Sequence, residues 1–93
     1  MKVVLTGMFN RQLAEVADEL RAEFPEVDVE VIGNDEGRKR IVNAARDASL
    51  VVCGRFVSHV VWKELRESTR TIMVFSGARS MADKARQVLR GEG

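Results

Sequence analysis

The sequence predicts an α/β domain: a four-stranded parallel sheet of strand order 2-1-3-4, with helices on both faces, in the manner of Rossmann-like and flavodoxin-like three-layer sandwiches. Two observations carry this. Short apolar runs recur at Val3 to Leu5, Val27 to Ile32, Leu50 to Cys53 and Ile72 to Phe75, and each gives way to Gly or Ser and then to a helical pattern, the rhythm of βα units. The second run alone alternates, Val27, Val29 and Val31 against Asp28 and Glu30, so it belongs at an edge with one wetter face. Right-handed crossovers then place the first and third strands side by side at the switch point.

Each element has a local reason. In the first helix Leu13, Val16, Ala17, Leu20 and Phe24 recur at helical spacing, Asn10 is the expected N-cap, and Pro25 ends the run. In the second, Ile41, Ala44, Ala45 and Ala48 form the inward stripe, while Arg38, Lys39 and Arg40 fill the first turn. The third is expected to start at a Ser58 cap and to turn Val61, Trp62 and Leu65 inward. The fourth is expected to open with Ser80 as cap and Asp83 three residues on, a capping box, before Met81, Ala85, Val88 and Leu89, with Gly91 as its stop. No internal repeat or low-complexity linker interrupts the 93 residues, so a single domain over 1–93 is expected.

Open parallel sheets take ligands beyond the carboxyl ends of their strands, where helix N-termini present unpaired N–H groups. Four loops lie there: Thr6 to Asn10, Gly33 to Gly37, Gly54 to His59 and Ser76 to Ser80. Thr6, Asn10, Arg55, Ser58, His59, Ser76, Gly77, Arg79 and Ser80 are the candidate ligand-binding residues. Their hydroxyls and guanidinium groups suit a phosphate or carboxylate. His59, the one histidine, would tune binding with pH, or serve as acid or base if the domain were an enzyme.

Several chemistries lack their residues. There is no Walker-type loop ending in Lys-Ser or Lys-Thr, no three-glycine dinucleotide fingerprint after the first strand, and no Cys in the first loop. The third strand ends Cys53-Gly54 rather than in an Asp, which argues against a phospho-accepting receiver. One His and one Cys make a zinc site improbable. With 15 Lys and Arg against 14 Asp and Glu, a net charge of +1 provides no field for nucleic acid or lipid as a whole. The local exception is Arg38 to Arg40, cations at a helix N-terminus against its dipole.

The lone Cys53 and the absence of an apolar leader point to a reduced, cytoplasmic setting without membrane. The fourth strand is apolar on both faces yet belongs at an edge, so a homodimer covering it, or packing through Trp62, is expected.

From Ile41 to Arg66 the chain resembles a small bacterial domain, domain of unknown function family 2325. The likeness rests on Ala48 to Cys53, the Ser58-His59 pair opening a helix, Trp62, Arg66 and the Ser76 to Ser80 stretch. The chain departs from that pattern at Ile32-Gly33-Asn34-Asp35, where members commonly carry His and Gly. The resemblance implies a Rossmann-like fold with Ser58 and His59 at the site, and no assigned reaction. The leading expectation is a non-catalytic binding or regulatory domain for an anionic, nucleotide-like molecule. Its rivals are a ligand-free dimeric interaction module and a small enzyme using His59.

Overall fold

The computed structural model describes residues 1–33 and 35–91; Asn34 of the second loop lies outside them. In chain order the elements are β1 (Lys2–Thr6), α1 (Asn10–Glu23), β2 (Asp28–Val31), α2 (Arg38–Arg46), β3 (Leu50–Gly54), α3 (His59–Ser68), β4 (Thr71–Val74) and α4 (Ala78–Leu89). The strands pair in parallel as β2-β1-β3-β4, the order the sequence predicts.

Strand alternation divides the core in two. Val3, Leu5, Leu50 and Val52 pack beneath α1 and α4, while Val4 and Val51 pack beneath α2 and α3. β1 and β3 are covered on both faces, and their apolar residues are fully buried. Each fully buried Leu or Val side chain contributes about 1.5–3 kcal/mol relative to exposure, so the two central strands hold the frame on which the loops are mounted. Arg86 fastens α4 to α1, with Nε 2.9 Å from Glu23 and NH2 3.4 Å from Glu19. No described helix is long and apolar enough to cross a membrane.

Two helix starts differ from the sequence expectation. Asn10 does not cap α1; Phe9 holds the cap position and its carbonyl accepts from the Leu13 amide at 3.0 Å, so Asn10 is already inside the first turn. Ser80 does not cap α4 either. Gly77 takes φ +107°, a conformation open to glycine, and the Met81 amide donates to its carbonyl at 3.1 Å. The chain thus enters the helix three residues sooner than a serine cap would allow, and Asp83 pairs with Arg86 at 3.1 Å instead of completing a capping box. Ser58 does cap α3, accepting from the Val61 amide at 3.3 Å.

Candidate functional site

At the switch point the β1–α1 and β3–α3 loops touch backbone to backbone. The Phe56 amide donates to the Gly7 carbonyl at 3.0 Å. A Cβ on Gly7 would lie 2.5 Å from the Gly54 carbonyl oxygen and 2.7 Å from the Val57 side chain; one on Gly54 would overlap the Gly7 carbonyl. Gly7 also has φ +80°. Only a glycine pair permits this junction, and it fills the crevice where such sheets usually take ligands. The open space is therefore split into one cleft on each side of it.

The cleft on the α1/α4 side has a volume of about 350 Å³ and is lined by Gly7, Met8, Phe9, Gln12, Arg55, Phe56, Val74, Phe75, Ser76 and Gly77. Two helices begin at its walls. Neither α1 nor α4 has a side-chain cap, and neither carries an acidic residue in its first turn. Both therefore present the positive ends of their dipoles and first-turn amides to the same space. Arg55 adds a full positive charge, and among the described residues no carboxylate lines the cleft. Three rings border it. Phe9 and Phe56 meet edge to face at 4.8 Å, and Phe9 and Phe75 are 61% and 72% exposed, an unusual state for apolar rings.

The cleft on the α2/α3 side is smaller, about 220 Å³, and includes Thr6, Glu36, Arg38 and Ser58. Its charges are already matched. Arg38 pairs with Glu64, and Glu36 accepts from the Gly33 amide at 2.8 Å while Arg40 reaches it at 3.3 Å. Arg40 also lies 3.1 Å from Glu30, whose other oxygen is 2.8 Å from Lys2. The cations that oppose the α2 dipole thus find their compensation within the chain. That leaves Lys39 beside a shallow groove with Arg46.

The candidate residues are consequently dispersed. Arg55, Ser76 and Gly77 meet in the larger cleft. Ser80 donates to Ser76 at 3.1 Å from the first turn of α4, and Arg79 is exposed beside it without lining the cleft. Thr6 is 1% exposed and gives its proton to the Ile32 carbonyl at 2.9 Å, joining β1 to the end of β2. The Asn10 side chain lies near Gly33, away from the cleft. His59 borders a separate apolar pocket with Trp62, Met73 and Phe75, one wall of which is Arg55.

Reading loops for polar donors overlooked Gln12 and the three phenylalanines. The available signal was the presence of Phe9 and Phe56 in loops at the strand ends, where apolar rings have no core to enter; Phe75 reads as the end of the fourth strand, and the structure stops β4 at Val74.

Cys53 is buried at the end of β3, its Sγ 3.7 Å from the Ile72 carbonyl, and burial pushes the thiol up to about 12. It is a packed thiol, not a nucleophile. Among the described residues no group of three or more His, Cys, Asp or Glu side chains is placed to hold a metal ion.

No family model matches the chain, and no curated protein matches it. Among solved structures it is similar to a solution structure of a phosphate-loop protein, at 24% identity over 99% of this chain and 95% of that one, with a TM-score of 0.58. At that identity the likeness shows a shared α/β sandwich fold.

Proposed function

We propose that the chain is a non-catalytic binding or regulatory domain that holds a phosphate-bearing, nucleotide-like molecule in the cleft between the N-termini of α1 and α4. The observation that carries this reading is the convergence of two uncapped helix N-termini and Arg55 on a space that no carboxylate lines among the described residues. A phosphate fits over the amides that follow Gly77, with Arg55 and Ser76 on its oxygens. A planar base fits among Phe9, Phe56 and Phe75, which gives those exposed rings a partner. The similar solved chain is called a phosphate-loop protein, which agrees with a phosphate-bearing ligand. The loop after β1 here lacks the Lys-Ser or Lys-Thr of a Walker motif, so the phosphate would be held by helix ends and arginine rather than by a Walker cradle.

Thermal unfolding against inorganic phosphate, pyrophosphate and a panel of nucleotides tests the reading. A nucleotide at 100 times its Kd adds about 2.7 kcal/mol of stability. The expected result is a shift for nucleotides that exceeds the shift for phosphate and is lost in Arg55→Ala. No shift across the panel, or one unchanged by Arg55→Ala, overturns it.

A further inference from the structure

Among the described residues no strand pairs with the outer edge of β4, and its surroundings select what can cover it. The Arg70 carbonyl accepts from the Val51 amide at 2.9 Å, and Val51 pairs with Thr71 in register. Alternate residues of β4 therefore bond to β3, and the backbone N–H and C=O groups of Thr71 and Met73 point outward, unpaired within the sheet. Beside this edge lies an apolar pocket of about 330 Å³ formed by Val57, Trp62, Met73 and Phe75.

Two arginines make its rim cationic: Arg55 lines it, beside His59, and the Arg66 guanidinium stacks over the Trp62 ring at 5.7 Å. Among the described residues no carboxylate lines the pocket; Glu64, on the same helix as Trp62, is committed to Arg38 on α2.

We propose that the β4 edge docks an extended acidic peptide segment of another protein. The segment would add a fifth strand through Thr71 and Met73, place one bulky apolar side chain against Trp62 and Met73, and set its carboxylates against Arg55 and Arg66. Charge decides against a second copy as occupant: a two-fold pairing of β4 edges would bring each cationic rim toward its own duplicate. It also decides against a basic strand. This surface shares Arg55 and Phe75 with the anion cleft, so Arg66, which stands outside that cleft, is the residue to vary.

The test uses the full chain, isotopically labelled, and two synthetic extended peptides of alternating valine and glutamate around a central leucine, the second with lysine for each glutamate. At low salt the acidic peptide is expected to bind, to shift the amide signals of Thr71 and Met73, and to slow their exchange with solvent. The lysine peptide is expected not to bind. Arg66→Glu, on an exposed face, should weaken the acidic peptide about tenfold while leaving any nucleotide shift intact. Trp62→Ala, checked by circular dichroism for an intact fold, should weaken it as well. Equal binding of both peptides, shifts confined to other strands, no binding of either, or sedimentation as a dimer that protects the Thr71 and Met73 amides would overturn the proposal.

Discussion

The clefts on the two sides of the Gly7–Phe56 junction contain the same ingredients, an arginine and an uncapped helix N-terminus, yet differ in what the chain has done with them. On the α2/α3 side Arg38 is paired with Glu64 and Glu36 stands in the wall. On the α1/α4 side Arg55 stands among backbone and aromatic groups, with two helix ends and, among the described residues, no carboxylate. A helix dipole and a cation make an anion site only where the chain does not neutralise them itself.

The junction that separates the clefts is the place to break the comparison most severely. Replacing Gly7 by Ala forces a side chain into φ +80° and drives its Cβ to 2.5 Å from the Gly54 carbonyl oxygen. Left-handed strain and displaced backbone together should cost about 3 kcal/mol, a fall in Tm of roughly 15 °C for a domain of this size. Chemical and thermal unfolding of Gly7→Ala measure it. Gly37, where a Cβ meets nothing within 4 Å, is the control, and Gly37→Ala should change stability by less than about 1 kcal/mol.

The two arginines separate the clefts by ligand rather than by stability. Arg55→Ala should remove about 1.5–3 kcal/mol of nucleotide-induced stabilisation, the range for a hydrogen bond to a charged group. Arg38→Ala should leave the nucleotide shift intact and cost the apoprotein at most about 1 kcal/mol, as for other solvent-exposed ion pairs. Differential scanning fluorimetry of both variants with and without nucleotide distinguishes the roles, and equal loss in the two would erase the contrast.

Cys53 tests whether either cleft reaches the strand ends. Its thiol should resist iodoacetamide in the native state and react on unfolding. The sign of its pH effect follows from proton counting: the unfolded thiol ionises near pH 9.0, while the native one holds its proton to about 12. Between those values the unfolded state binds fewer protons, so stability falls as pH rises, by up to about 1.4 kcal/mol per unit from this group. Denaturant titrations of the wild type and Cys53→Ala above pH 9 should diverge in that direction, with the variant less steep.

The sheet was legible because its signals are local and repeated: paired apolar runs for β1 and β3, alternation at Val27 to Val31, and one helical stripe after each. The site was less so, because its decisive feature is a contact between Gly7 and Gly54, 47 positions apart in the sequence, which no spacing rule reveals. That contact moved the usable space off the switch point and parted His59 from Ser76. Thr6 and Ser58 are polar residues at strand ends, but a hydroxyl in that place is as readily engaged by backbone: Thr6 donates to the Ile32 carbonyl and Ser58 accepts from the Val61 amide.

The smallest effect separates the two serines that the sequence treats alike. Ser58 and Ser80 both precede apolar helical stripes, yet only Ser58 receives a backbone amide, that of Val61. Ser80 is within α4 and spends its proton on the Ser76 hydroxyl, an exposed contact. Ser58→Ala should therefore cost about 1 kcal/mol, the usual loss of a cap, and Ser80→Ala less than about 0.5 kcal/mol. The α4 entry depends instead on the backbone freedom of Gly77, so Gly77→Ala should exceed both serine variants although its Cβ would meet nothing within 4 Å. A Ser80→Ala loss equal to that of Ser58→Ala would restore the serine cap to α4 and move its N-terminus, with the amides it offers, three residues away from the cleft.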